Sequence, residues 1–407
     1  MDYESAARRN LFLLAAGMAA LYGMVELAVG VATLTFEATG GSRSLAGFAP
    51  AVFVGCSALA AVPAGRAMDR SGRRPILIAG FAVGAAGCLL AGLGVSAGSL
   101  AVAMLGFALA GIAAGTVLLS RAAGADMFPP ERRPRAIALV LFGAVFGALL
   151  GPLVFGPLLG DGHEGLDLAW VGAAAFMLVG LAIASRLRPD PQEIARALDA
   201  GPGVAEPSPA EGLRLVLGRP GVAPAVVAIL AVWGAMIAIM VLTGTAMVDH
   251  GHPHGSIFPV LTAHFVGMFG LFAVVGPAIE RIGRTPALVG GLVLLAASAA
   301  ALVAAIASVA LTALALFGVG LGWSLAFVAA TAELSERSRP AERATLIGFS
   351  DLLGGITGGA LAIAGGIGLE HGGLAAVALA AAALPLAAAV WIVRDAKRAR
   401  AFAGARA

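Results

Sequence analysis

Glu26 is the residue of this chain with the sharpest chemical consequence. It lies near the centre of an apolar run from Leu11 to Phe36, and Met18, Tyr22 and Glu26 share one helical face at four-residue spacing. A carboxyl at such depth costs about 3 kcal/mol to insert, so it counts as functional by default. Kept from water, it can load and release protons near neutral pH, or neutralise a cationic solute. The structural alternative is a carboxyl hydrogen-bonded to a neighbouring helix. Asp351 lies roughly two turns into another apolar run and reads either as a second proton site or as support for the helix end. His264 sits within a third run and either titrates near neutrality or simply packs. Arg121 falls near a run's end, close enough to water to snorkel.

These side chains need apolar elements to carry them, and the composition supplies little else. Sixty per cent of the 407 residues are hydrophobic and 12% are charged, and mean hydropathy is +0.96. A soluble domain carries about 25% charged residues, so lipid must solvate most of this chain. Twelve runs are long enough to cross the bilayer: Leu11 to Phe36, Leu45 to Ala67, Pro75 to Val95, Leu100 to Leu119, Ala136 to Leu159, Leu166 to Ala184, Gly221 to Met247, Ile257 to Ile279, Pro286 to Ile306, Val309 to Leu334, Ala344 to Ile367 and Leu374 to Val393. They do not alternate polar and apolar residues, so they are helices and not barrel strands. The 57 glycines suit close helix packing. A proline-rich polar stretch, 186–219, separates residues 1–185 from 220–407 and reads as a linker with a short surface helix near Gln192 to Leu198.

Arginine orients the chain. One set of loops holds Arg66, Arg70, Arg73, Arg74, Arg132, Arg133, Arg135, Arg281, Arg284, Arg337, Arg339 and Arg343, while the opposite loops hold only Arg43. The basic loops and both termini are therefore expected in the cytoplasm. The arginine and alanine bias points to a GC-rich bacterial genome, hence to the inner membrane. Cys56 and Cys88 sit in apolar runs and offer no disulfide framework.

The basic loops also repeat. Gly65, Asp69, Arg70, Gly72, Arg73, Pro75 and Leu77 recur at one constant offset as Gly276, Glu280, Arg281, Gly283, Arg284, Pro286 and Leu288. Both copies follow the second span of a half, which makes two six-helix halves of parallel topology. The first copy resembles the loop motif of the major facilitator superfamily. That resemblance implies an all-α membrane protein of twelve helices in two pseudo-symmetric six-helix bundles. It implies transport by alternating access, usually as a monomer. It also implies a cytoplasmic latch, in which Asp69 faces the start of the eleventh helix and Arg73 pairs with Asp126 at the end of the fourth. The segment Asp126 to Ala136 is similar to the family's connection between spans four and five, and Gly318 to Phe327 with Thr262 to Phe269 resembles a group of bacterial members.

Gly143, Gly147, Gly151, Pro152 and Gly156 on the fifth span resemble the glycine–proline motif of the superfamily's proton antiporters, although Phe155 interrupts its double glycine. This resemblance implies export. The mid-helix arginine of many proton-coupled members is missing from the fourth span, where Phe107 takes its place by alignment. In this fold spans one, four, seven and ten line the central cavity, which assigns Tyr22, Glu26, Phe107, Trp233, Met236, Met240, Trp323 and Phe327 to it, with lipid-facing or packing roles as the alternative. Trp170 and Trp391 read as interface anchors.

The leading expectation is secondary active, proton-coupled export of small lipophilic molecules, cations included. The rivals are an uptake permease for a small metabolite and a membrane sensor that does not transport. The outer loop Asp249-His250-Gly251-His252-Pro253-His254 reads as solvated and not as a metal site. No glycine-rich phosphate loop, nucleophile–base pair or cofactor site is evident, so an enzyme, a nucleotide-driven pump or a nucleic-acid partner is not expected.

Overall fold

The computed structural model describes residues 3–42, 48–155, 166–199, 212–253 and 256–404; no strand occurs among them. Its helices are α1 Tyr3–Gly30, α2 Ala32–Ala38, α3 Phe48–Ser71, α4 Arg73–Ser96, α5 Leu100–Leu118, α6 Ser120–Asp126, α7 Arg133–Phe155 and α8 Leu166–Ala184. There follow α9 Pro191–Asp199, α10 Leu213–Leu217, α11 Val222–Asp249, α12 Ile257–Phe265, α13 Phe272–Ile282, α14 Arg284–Ala305, α15 Val309–Arg337 and α16 Arg343–Gly404. The last of these is two helices joined at Gly373, whose φ of 68° breaks the helical path. Among the described residues eleven helices are long and apolar enough to cross a membrane, and a twelfth is reached when the bent pair Pro259–Gly270 and Phe272–Ile282 is taken as one span.

The first span runs from Tyr3 to Gly30, ahead of the separate α2, and not from Leu11 to Phe36, and two others differ further from their sequence reading. The eighth is not straight: a π-helical turn, Val266–Gly270, separates α12 from α13, and the halves meet at 50°. The wider turn forms where glycines leave little side-chain bulk: Gly267 lies against the backbone carbonyl of Phe317. The fourth span does not stop at Leu119 but continues through α6 to Asp126. Arg121 can stay in the bilayer because it is paired there, as described below.

The chain forms two compact units. Unit 1 comprises Met1–Pro129, Leu139–Ala210 and Arg339–Leu352; unit 2 comprises Pro130–Ala138, Glu211–Ser338 and Leu353–Ala407. Each is built on backbone contact between small residues. In unit 1, α4 and α5 meet where Gly106 faces Ala91 and Gly87 faces Ala110. In unit 2, α14 and α15 meet the same way, with Gly291 against Ala326 and Gly322 against Leu295. Lipid offers no hydrophobic drive for association, so dispersion at such close approach must hold the helices together. Large apolar side chains such as Phe12, Leu59 and Ile363 point outward.

Gly72 and Gly283 occupy equivalent places in the repeated loop. They end α3 and α13 at φ 96° and 88° and serve as the N-caps of α4 and α14. A side chain in this left-handed region costs about 1–2 kcal/mol, which is why both copies carry glycine.

Candidate functional site

The repeated loop of unit 1 builds a buried ionic network. Gly72 turns the chain so that Arg73 begins α4 with its guanidinium wholly buried. Arg73 Nη1 donates to Asp69 Oδ1 at 2.6 Å, Nε to Asp126 Oδ2 at 2.7 Å, and Nη2 to the carbonyl of Pro340 at 2.8 Å. Arg343 pairs with the other oxygen of Asp126. Asp69 meanwhile caps the start of α16: it accepts from the amides of Ala344 at 3.1 Å and Thr345 at 2.7 Å, and from the Thr345 hydroxyl at 2.6 Å. A carboxylate there satisfies donors that a helix start leaves open and complements its dipole. Gly65 has room only for hydrogen, because the Ala344 carbonyl lies against it. The network holds two carboxylates and two guanidiniums, so its charges balance. Arg70 is exposed and outside it.

The copy in unit 2 is thinner. Arg284 reaches Glu333 at 3.5 Å and pairs with Glu336 at the end of α15. Gly276 packs against the backbone of Arg135. Arg281 is exposed, and Glu280 Oε1 is buried without a hydrogen-bond partner. The aligned helix start reads Arg133-Pro134-Arg135, and proline has no amide hydrogen to give.

Deeper in unit 1 lies a second polar cluster, half of it unforeseen. Arg121 does not snorkel: its side chain is fully buried, and Nη2 meets Asp351 Oδ1 at 2.5 Å. Asp351 Oδ2 is buried without a hydrogen-bond partner. Tyr22 lies within electrostatic reach of Glu26, Arg121 and Asp351. Glu26 is half-buried. Sequence reasoning placed Glu26 and Asp351 as candidates but missed Arg121 as the partner of Asp351. The available signal was an arginine and an aspartate, both in apolar spans, whose burial is affordable only if they meet.

The glycines of the fifth span press α7 onto α1. Gly143 faces the carbonyl of Ala15, and Gly147 faces that of Ala19 and the amide of Gly23, one turn before Glu26. Gly151 and Pro152 lie in α7 near its end, while Gly156 falls outside the described residues.

Two aromatic assignments change. Phe107 is fully buried edge-on to Trp170, ring centroids 4.8 Å apart, so it packs inside unit 1 and presents no surface to a solute. Trp170 is no interface anchor: it too is fully buried, and its indole N–H donates to Thr35 Oγ1 at 3.0 Å. A helix-to-helix hydrogen bond in a dry interior explains its depth. Trp391 remains exposed on the surface.

In unit 2 the aromatic residues form one cluster. Trp323 stacks on Phe327 at 4.6 Å and meets Trp233 edge-on at 5.3 Å, with Phe269 at 6.1 Å on another side. Trp323 and Phe327 are buried, Met236 is buried, and Trp233 and Met240 are half-buried. The Trp323 indole N–H has no acceptor. His264 is buried beside the π-helical turn; its Nδ1 engages the carbonyl of Leu316 at 2.9 Å and its Nε2 has no hydrogen-bond partner. His264 belongs to unit 2, and Glu26 and Asp351 belong to unit 1. The ring nitrogens of His250 and His252 engage the carbonyls of Ala246 and Ile306, and no group of three or more metal-ligating side chains occurs among the described residues. His254 lies outside them.

Up to twelve candidate spans among the described residues, a repeated ionic loop and charged side chains on the first, fourth and eleventh spans fit a membrane transporter. The chain belongs to the Major Facilitator Superfamily, whose profile matches residues 11–276. It is 30% identical over 375 residues to the uncharacterized MFS-type transporter YdeG of Bacillus subtilis, covering 88% of this chain and 86% of the relative. It is 28% identical over 359 residues to the riboflavin transporter RfnT of Brucella anthropi, covering 87% of each. In fold it resembles the human organic anion transporter MFSD10, with a TM-score of 0.75 at 17% identity over 95% of this chain and 99% of that one. It equally resembles the proton:xylose symporter XylE, with a TM-score of 0.75 at 16% identity over 96% of both.

Proposed function

We propose that this transporter couples proton movement to the export of small lipophilic molecules, cations included. It works by alternating access, as a monomer, in a bacterial inner membrane with both termini in the cytoplasm. The observation that carries the coupling is a charge count. The Asp69–Arg73–Asp126–Arg343 network is balanced, whereas the cluster of Glu26, Asp351 and Arg121 has two carboxyls for one guanidinium. A spare negative charge in lipid is expensive. It is relieved by a proton or by a cationic solute, and competition between the two is exchange. Asp351 is held by Arg121, so Glu26 is the group left to titrate. The glycine face of α7 against α1 supports export, through its likeness to the antiporter motif. Arginine-rich loops support the orientation, and the balanced network is then a cytoplasmic latch.

A second reading, uptake of a planar aromatic metabolite, is favoured by one observation. The Trp233, Trp323 and Phe327 cluster with Met240 holds an indole N–H without an acceptor beside half-buried Trp233, and a relative is a riboflavin transporter.

Purified protein in liposomes holding a pH-sensitive dye separates the readings. Lipophilic cations, neutral drugs and riboflavin are added under an imposed proton gradient, to wild type and to Glu26→Gln. Proton movement triggered by a cation or drug and lost in Glu26→Gln is the expected result. Solute flux without proton movement, unchanged by the substitution, overturns the coupling. Flux of riboflavin alone favours the second reading.

A further inference from the structure

The chain leaving α8 turns back beneath the start of α4. Asp190 is its pivot: Oδ1 accepts from the Arg73 amide at 3.1 Å and Oδ2 from the Arg74 amide at 2.8 Å. Oδ1 also accepts at 2.8 Å from the amide of Gln192, in the first turn of α9. The first two donors are those a helix start leaves open, and the N-cap, Gly72, has no side chain to satisfy them. A Cβ on Gly72 would stand 2.8 Å from Asp190 Oδ2, so turn and carboxylate are fitted to each other. Two more bonds hold the segment in place. Gln192 Nε2, buried, donates to the Asp69 carbonyl at 2.9 Å, and Asn10 Nδ2 donates to the Pro189 carbonyl at 2.9 Å. The buried face of α9, Ile194 and Ala195, anchors it further.

Asp190 therefore grips the backbone of the one residue whose guanidinium joins Asp69 to Asp126. A fixed Arg73 Cα sets where its side chain can reach, and a displacement of about 1 Å breaks its single contacts to Asp69 and Asp126, 2.6 and 2.7 Å long. We propose that Asp190 is a positioning residue of the transport cycle, which acts through Arg73 to hold the Asp69–Arg73–Asp126–Arg343 network closed on the start of α16. This rests on the reading of that network as a latch. It makes the linker a working part: whatever pulls on residues 186–199 loosens the latch.

Hydrogen–deuterium exchange of the purified full-length protein tests this without a known substrate. Peptides spanning 72–76 report the direct hydrogen bonds, and peptides spanning 343–349 report the amides that Asp69 holds. Asp190→Ala is expected to speed exchange in both, by about threefold or more in 343–349. Asp190→Asn, which keeps an acceptor oxygen, falls between it and wild type. Asp69→Asn speeds exchange in 343–349, and adding Asp190→Ala to it produces no further rise there. A change confined to 72–76 reduces Asp190 to an ordinary helix cap and overturns the proposal. No change in 343–349 with Asp69→Asn overturns the latch reading, and the proposal with it. If Asp190→Ala elutes as aggregate in size-exclusion chromatography, Asp190→Asn carries the same comparison.

Discussion

Arg121 and Asp351 illustrate how costly and how informative a buried charge is. Each alone would need several kcal/mol to stay in the bilayer; together, at 2.5 Å, they offset most of that cost. Arg121→Leu leaves Asp351 stranded and is expected to destabilise the protein by about 3–5 kcal/mol. Arg121→Leu with Asp351→Leu removes both charges and is expected to recover most of the loss. Thermal unfolding of the purified variants, followed by tryptophan fluorescence, measures both; a double variant no better than the single would show that the pair is not the source. Glu26→Gln differs from these, because it removes the second carboxylate of a cluster whose one guanidinium already pairs with Asp351. It is expected to leave thermal stability unchanged or slightly raised while abolishing proton movement.

At the scale of elements, the two repeated loops are alike in shape and unequal in strength. Gly72 and Gly283 make the same turn, and Arg73 and Arg284 each reach the end of a neighbouring long helix. The difference is in the helix each acid faces. Asp69 meets the donors of Ala344 and Thr345, whereas Glu280 belongs to a loop whose facing helix carries Pro134 in its first turn. Asp69→Asn should therefore cost about 3–5 kcal/mol and Glu280→Gln about 0.5 kcal/mol or less. Equal losses in apparent melting temperature would refute the asymmetry. Gly143→Leu tests the contact between α7 and α1. Its side chain would drive into the Ala15 carbonyl, so the helices must separate. A fall in the yield of monodisperse protein is expected, with Gly359→Leu, at a position that meets open space, as the harmless control.

For the whole molecule the decisive quantity is the driving force. With transport proposed to draw on a proton gradient, accumulation or extrusion in intact cells should survive ATP depletion so long as the gradient is maintained artificially. It should collapse within the mixing time of a protonophore. Transport that follows ATP and ignores the protonophore would exclude the proposed coupling. Export against import is decided in the same cells by the sign of the solute gradient at steady state.

Membrane class, the helical spans and the loop repeat are legible in the sequence, because hydropathy and glycine spacing act over a few turns of one helix. The places of Asp69, Arg73 and Asp126 were legible only with the family resemblance beside them. Four things were not legible: that Arg121 is buried against Asp351, that Trp170 braces Thr35, that Phe107 packs on Trp170, and that Asp190 grips α4. Each joins residues far apart in the chain, and no local period records such a meeting. The bend of the eighth span was equally hidden, since its glycines permit a π-helical turn without requiring one. A sequence states how much charge lipid must tolerate; only the packed helices decide which opposite charge makes that tolerable.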